Sequence, residues 1–402
     1  MVSLRGSRGR YNRLVPAAVK QVLATVRDSG PLWTASLILD RILPYPVLGL
    51  WPAVPVRAED LERQLHATLH AWGMSADHAE ITAAHMVETD LRGVDSHGSG
   101  MLRSYHRALV AGSITMSPAI EVAGRDGSTA VVDGGGGLGH VPARAAMELA
   151  IEICRDAGVG AVAVRNSGHF GAAGMYALMA AEAGCIGIVT SDTLTPTLVP
   201  TFGTAAMLGT NPIAFAAPAA ANDPFALDMA TTTSSRGKVV TAWRRGRRIP
   251  EGWALDPRGR PVRNARKAFE DRRLTPLGSK PSLGSYKGYG LAAVVEILST
   301  LLAGRDGAAG LGRDKPRVGH FFLALDPARF RPPGEFEGDL DAMIDSLRAT
   351  EPIDPGRPVR VPGDPERAAA TERRRSGIPM SRGVIEDIRA VARASGVPFE
   401  LA

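Results

Sequence analysis

Between residues 131 and 290, short apolar segments with the character of buried strands alternate with helical segments. This alternation restricts the fold more than any other feature. The segments Gly160–Arg165 and Cys185–Thr190 are predicted strands, and the predicted helix Ala172–Ala183 lies between them. Upstream, a glycine-rich stretch separates the apolar pair Val131–Val132 from a helix that begins at Pro142. Such strand–helix–strand alternation indicates an α/β or α+β core.

The segments on both sides of this core are predicted to be mainly helical. Gly73 ends a first helix, and Ser75 is a suitable N-cap for the next one. One further strand is expected at His320–Leu325. The apolar face of the first helix recurs at three- and four-residue steps through Leu61, Leu65, Leu69 and Trp72. The predicted division is an extension at 1–56, helical parts at 57–130 and 291–402, and a mixed core at 131–290.

The positive charge of the chain is concentrated in the extension. The 402 residues carry a net charge of +6. Residues 1–56 contain seven basic and two acidic side chains, which leaves only +1 for the remainder. A nucleic acid is therefore not expected as a partner of the main body.

No uninterrupted apolar run of about 18 residues occurs, so no transmembrane span is predicted. With only Cys154 and Cys185, a disulfide framework is implausible, and we expect a reducing, cytoplasmic location.

The glycine run 134–139 invites comparison with the phosphate-binding loop of Rossmann folds, since it follows a strand and precedes a helix. It does not hold a clean GxGxxG that is followed directly by a helix, and no acidic residue closes a strand about 20 residues later. Three interpretations stay open: a Rossmann loop, a flexible turn, or a substrate or cofactor loop of another fold.

Two histidines lie in short segments that are dense in polar and glycine residues. His97 and Ser96 belong to the segment RGVDSHG that starts at Arg92, directly after a predicted helix. His169 belongs to NSGHFG, between a predicted strand and a helix. Imidazole titrates near neutrality, so either histidine is suited to exchange a proton with a substrate. The alternatives are a capping turn for the first segment and a structural histidine for the second.

Three more segments carry candidate site residues. Thr210 and Asn211 lie in GTNP, and Asp228 follows an apolar run and could orient an imidazole. Lys287 lies at a glycine-lined helix start, where a cation suits a phosphate group. The alternatives are an N-cap for Asp228 and a solvated surface side chain for Lys287. These residues fit a Ser/His/Asp hydrolase or a dehydrogenase, but the chain has no GxSxG elbow. A metal site of His97, His169 and Asp228 has no supporting motif, and no metal is predicted.

The order of motifs is RGVDSHG, DGGGGLGH, NSGHFG, LGTNPIAFA, LDMATT, GWALD, KGYGLA and VPGDPE. From about Val56 to Phe399, this order resembles the malate/L-lactate dehydrogenase family. The resemblance implies an α+β, non-Rossmann fold of the sulfolactate dehydrogenase type. In that fold, both chain ends form a helical domain and the 131–290 segment forms the cofactor-binding domain. It also implies hydride transfer between NAD or NADP and the carbon next to a carboxylate. Members are typically homodimers.

The resemblance further implies roles for individual residues. The catalytic positions are His169, His97, Ser96 and Asp228. Cofactor contacts fall on Asp228, Met229, Ala230, Lys287, Ser191 and Thr193. The small carboxylate substrate is assigned to Arg92, His97, Arg103, Thr210 and Asn211. In the expected mechanism, His169 exchanges the hydroxyl proton, Asp228 holds an imidazole, and His97 and Ser96 bind the substrate oxygen.

One position departs from the family pattern. Many members have an arginine three residues after the glycine of SHG, and here that position is Met101. Such an arginine can hold a carboxylate with two parallel hydrogen bonds. The sequence therefore leaves the substrate open, with Arg103 as a possible replacement. The alternatives are a reductase of a cyclic imino acid and a non-catalytic binding protein.

Overall fold

The structure is a computed structural model that describes residues 53–244, 246–304 and 317–401. Almost all of the predicted extension, at 1–52, lies outside the described residues. In the described part, the strands are β1 (Val54–Val56), β2 (Glu121–Asp126), β3 (Thr129–Asp133), β4 (Val159–Ser167), β5 (Ile186–Ser191), β6 (Ile213–Ala217), β7 (Phe225–Met229), β8 (Ala254–Leu255), β9 (Pro261–Val262), β10 (Val318–Leu325) and β11 (Ile378–Met380).

The α-helices of the described part precede, separate and follow these strands. They are α1 (Ala58–Ala71), α2 (Ala76–Leu91), α3 (Leu102–Val110), α4 (His140–Ala157), α5 (Ala173–Glu182), α6 (Arg236–Arg244), α7 (Ala265–Asp271), α8 (Ser285–Glu296), α9 (Glu335–Arg348), α10 (Asp364–Ser376) and α11 (Arg382–Ala394). A π-helical turn, Ile297–Leu301, continues α8. None of the helices in the described ranges is both long and apolar enough to cross a bilayer.

Seven strands form one mixed sheet in the order β2-β3-β4-β10-β5-β6-β7. β3 and β4 run parallel and are connected by α4, whereas the other neighbours in the sheet are antiparallel. Helices α4 and α5 pack on this sheet and close one large apolar core around Met147, Tyr176 and Phe322. The α+β fold class is therefore as predicted, and β3 and β4 are the one pair of neighbouring strands in this seven-stranded sheet that runs parallel.

The strand and helix predictions near the centre of the chain are confirmed. β4 and β5 cover the two predicted strands, and α5 covers the helix between them. Ser75 caps α2 by accepting a hydrogen bond from the backbone N–H of His78. Helix α4 begins at His140, two residues before the predicted start at Pro142.

A second apolar core joins the two ends of the described chain. It is formed by α1, α2 and α3 from the first part and by α10 and α11 from the last, with Leu65, Met86 and Ile388 at its centre. β1 pairs antiparallel with β11 in the same region. Helices from both ends of the described chain thus share one core. The predicted boundary at residue 291 assigns β10 to the helical part. In the structure, β10 lies in the central sheet between β4 and β5.

Candidate active site

The loop that contains Ser96 and His97 is fixed by the buried carboxylate of Asp90, near the end of α2. The backbone N–H of Ser99 donates to Asp90 Oδ2 at 2.9 Å. Arg373 of α10 donates to the Asp90 carbonyl at 2.5 Å and also pairs with Asp95 in the loop. Burial raises the pKa of Asp90 to about 7, against the opposing effect of the Ser99 hydrogen bonds. Asp90 has no motif of its own and was not predicted from the sequence.

The structure brings together His97 and His169, the two histidines assigned to the site from the sequence. Their rings stack with centroids 5.5 Å apart and planes inclined by 18°. Ser96 Oγ lies 2.8 Å from His97 Nδ1, which leaves Nε2 of His97 for another partner. Burial lowers the pKa of His97. Burial, with a smaller contribution from His97, lowers the pKa of His169 to about 3. Both imidazoles are therefore neutral at physiological pH.

A buried polar cluster packs against the loop that carries His169. His320, in the central strand β10, bonds Ser167 Oγ through Nε2 and Ser191 Oγ through Nδ1, both at 2.9 Å. Phe170 stacks on the His320 ring at 4.4 Å. These contacts connect β4, β5 and β10 next to the His169 loop. Ser191 is buried in this cluster, which differs from its predicted role as a cofactor contact.

Two groups converge on Nδ1 of His169. The hydroxyl of Tyr105, from α3, lies 2.7 Å away, and the backbone N–H of Gly171 donates at 3.3 Å. Tyr105 is buried, and burial raises the pKa of its phenol, so the hydroxyl stays protonated. The sequence analysis missed Tyr105, since no local pattern marks it.

Asp228 lies near the end of β7 and faces the start of α5. Its Oδ2 accepts a hydrogen bond of 2.8 Å from the backbone N–H of Gly174. The residue is open to the cleft, yet its carboxylate is largely surrounded by protein. This desolvation raises its pKa to about 6, against the lowering effect of the Gly174 bond. In the described part of the chain it bonds neither imidazole, so this geometry differs from the predicted one.

Among the predicted cofactor residues, Lys287, Met229 and Ala230 are at least partly accessible. Lys287 is exposed in the first turn of α8, and no side chain of the described residues caps this helix. A cation beside an uncapped helix N-terminus suits a phosphate group. Met229 and Ala230 are partly exposed beside Asp228. A Cβ on Gly209 would lie 2.0 Å from Thr193 Oγ1, so only glycine allows this close approach.

The predicted substrate residues are mostly engaged elsewhere. Arg92 pairs with Glu88 at 2.9 Å, and Arg103 pairs with Asp387 of α11 at 2.5 Å. The Asn211 amide group is buried, and it donates to the Ala292 carbonyl and to Glu296, while the Thr210 carbonyl accepts from Thr231. Of the substrate residues predicted, His97 is partly exposed and stacks on His169. Nowhere in the described ranges do three potential metal ligands meet.

A further cation, Arg236, lies beside the Ser96 loop and was missed. It begins α6, and the next residue, Gly237, approaches Ser96 so closely that a Cβ would lie 2.8 Å from the serine Cβ. The guanidinium stacks on Phe269 at 4.6 Å. Its Nε is buried without a hydrogen-bond partner among the described residues. Burial lowers the pKa of this arginine.

The α+β fold and the paired histidines are the features to be placed, and comparisons with known proteins identify the family. The family model described as malate/L-lactate dehydrogenase matches residues 56–389. The malate dehydrogenase of Pyrococcus abyssi is 39% identical over 329 residues, which cover 81% of this chain and 90% of that protein. The L-sulfolactate dehydrogenase of Methanocaldococcus jannaschii is 35% identical, covering 86% of this chain and 98% of that protein.

Solved structures agree with this assignment. Malate dehydrogenase from Entamoeba histolytica superposes with a TM-score of 0.82 at 30% identity, covering 86% of this chain and 99% of the other. A delta1-piperideine-2-carboxylate reductase from Pseudomonas syringae gives a TM-score of 0.74 at 26% identity, covering 84% and 100%. The chain belongs to the malate/L-lactate dehydrogenase family. It is an oxidoreductase that acts on 2-hydroxy acids with a nicotinamide cofactor.

Proposed function

We propose that this protein interconverts a small 2-hydroxy acid and the corresponding 2-keto acid in the cleft beside His97 and His169. The stacked imidazole pair carries the proposal, since it presents two neutral proton-handling groups side by side. When bound, the nicotinamide supplies or accepts the hydride. Lys287 and the first turn of α8 would hold a phosphate of that cofactor, and Met229 and Ala230 would line its path.

The residues of the chain then handle the substrate oxygen and the carboxylate. The two histidines are assigned to the substrate oxygen and its proton, with Ser96 bonded to His97. We assign the carboxylate to Arg236, because Arg92 and Arg103 are already paired with acidic side chains. The partly buried guanidinium of Arg236 gains an anionic partner if a carboxylate binds there.

The first test is the oxidation of NADH and NADPH by the full chain in the presence of a panel of 2-keto acids. The panel should contain neutral, dicarboxylate and sulfonate members, together with a cyclic imino acid. We expect turnover of at least one 2-keto acid. The turnover is measured as the loss of the near-ultraviolet absorbance of the reduced cofactor. A preference for the cyclic imino acid would support the alternative function, for which the Pseudomonas reductase is a precedent. No turnover and no cofactor binding across the panel would exclude both functions.

We further propose that the enzyme is a homodimer that pairs through one face of α8 and its π-helical extension. Large apolar side chains follow one another along this face at three- and four-residue steps. Val294 is 47% exposed, and Ile297 and Leu301 are both 53% exposed. A contiguous apolar surface of this kind is typical of a protein–protein interface.

A cytoplasmic location is proposed from the cysteine content, which consists of two buried free thiols.

Charged substitutions on this face are expected to produce a monomer. In the double variant Val294→Lys/Ile297→Lys, two solvated ammonium groups would have to be buried at the interface. Sedimentation velocity should show a dimer for the wild type and half that mass for the variant. Ile353→Lys is the matched control, because Ile353 is fully exposed and lies far from α8 in sequence. A double variant that sediments as the wild type does would exclude this face.

A further inference from the structure

The hydrogen bonds to Nδ1 of His169 determine where this imidazole carries its proton. The backbone N–H of Gly171 can only donate, and it points at Nδ1 from 3.3 Å. Nδ1 must therefore offer its lone pair. The Tyr105 hydroxyl, at 2.7 Å, then donates to the same lone pair. A neutral imidazole that accepts at one nitrogen carries its proton at the other.

We propose that Tyr105 is a positioning residue that, with the N–H of Gly171, holds His169 as the neutral tautomer protonated at Nε2. In this form His169 donates a hydrogen bond to the substrate oxygen and keeps its own proton. The inference rests on the proposed function for its catalytic consequence, but the tautomer itself is a property of the free enzyme.

The surroundings of His169 favour this neutral form. The titratable side chains that face it from α2, α3, α4, β10 and the Ser96 loop are His85, Tyr105, His140, His320 and His97. None of them is negatively charged at neutral pH. An imidazolium would also carry a proton on Nδ1, directed at the N–H of Gly171. Burial and the absence of an anionic partner in this set therefore both disfavour the cation.

A neutral histidine can stabilise a developing negative charge without giving up its proton, because its N–H is aimed at the oxygen in advance. In the reductive direction, C2 of the keto acid receives the hydride and its oxygen receives one proton. His169 stabilises that oxygen, and the proton leaves Nε2 of His97. As Nε2 loses its proton, Nδ1 takes one from the exposed hydroxyl of Ser96, 2.8 Å away, and this hydroxyl takes a proton from solvent. This division of roles differs from the sequence-based prediction, in which His169 exchanges the proton.

The tautomer can be read directly by nitrogen-15 NMR of histidine-labelled full-length protein, with the His169 signals assigned by their loss in His169→Asn. We expect a protonated Nε2 and an unprotonated Nδ1 in the wild type between pH 5 and 9. In Tyr105→Phe, loss of the stronger donor should allow the Nδ1-protonated form and raise the pKa of His169. kcat should fall about tenfold with little change in the KM of the cofactor, which corresponds to one lost hydrogen bond.

Tyr176→Phe is the matched control. Tyr176 is also fully buried, and its hydroxyl donates to the Phe170 carbonyl at 2.6 Å, not to His169. This variant should keep the wild-type tautomer and kcat. A wild-type His169 protonated at Nδ1 would overturn the inference even if Tyr105→Phe failed to fold. Wild-type tautomer and kcat in a folded Tyr105→Phe would overturn it as well. A chain inactive towards the whole panel would refute the proposed function and leave the tautomer measurement valid.

Discussion

Replacing His169 by alanine is expected to lower kcat by about 10²–10⁴-fold, the range found when a group that handles a proton or stabilises an oxyanion is removed. The methyl side chain cannot donate to the substrate oxygen, and the change leaves the first turn of α8 and Lys287 untouched. The affinity for the reduced cofactor should therefore stay within about twofold, measured by fluorescence titration alongside steady-state kinetics. A fully active His169→Ala variant would refute the assignment of this residue to the site.

The control for this experiment is His66→Ala. His66 lies on α1 and stacks with His70 at 6.2 Å, away from the loops of the cleft. The His66→Ala substitution should leave kcat unchanged. His169→Gln is a useful third variant, because its amide keeps an N–H donor but cannot exchange a proton at neutral pH. If His169 serves as a hydrogen-bond donor, the glutamine variant should retain more activity than the alanine variant.

The elements that the sequence predicts best are those that depend on local pattern. The apolar runs of β4 and β5 and the helix between them are encoded within short windows, and so is the cap at Ser75. His97 and His169 were found for a similar reason, since the glycines and small polar residues around each are unusual for a plain turn. Their stacking at 5.5 Å depends on how two distant segments pack, and no local pattern encodes that distance.

The insertion of β10 between β4 and β5 depends on contacts between segments far apart in the chain. The same insertion buries Ser191 against His320, which removes it from the cofactor surface. A strand prediction at His320–Leu325 gives no information about its neighbours. The predicted boundary at residue 291 therefore separated a central strand from its sheet.

The arginines illustrate two kinds of error. The pairing of Arg92 with Glu88 follows the four-residue helical spacing and was open to prediction from the sequence. The partner of Arg103 is Asp387, on a helix from the other end of the chain, and no local rule indicates it. The same holds for Tyr105, because its role arises from the place where α3 meets the loop after β4.

Replacing Gly98 by alanine is expected to cause the second large loss of activity, through the geometry of the loop. A Cβ at this position would lie 2.0 Å from Asp90 Oδ1 and 2.3 Å from Asp90 Cγ. Asp90 is buried and bonded to the Ser99 backbone, so it has little freedom to move. The loop must shift instead, and it carries Ser96 and His97 with it. A misplacement of about 1 Å at a catalytic group can cost about 10²-fold in rate.

The same substitution should also lower the free energy of unfolding by about 1–3 kcal/mol, as is usual for an overpacked interior. Gly100→Ala provides the matched control two residues away. The closest atom to a Cβ there is the Asp95 carbonyl oxygen at 3.4 Å, and Gly100 is exposed, so the added methyl group should be tolerated. Steady-state kinetics and urea unfolding of both variants separate the effect of the contact with Asp90 from a general effect of alanine in this loop. Equal behaviour of the two variants would show that Asp90 does not fix the position of His97.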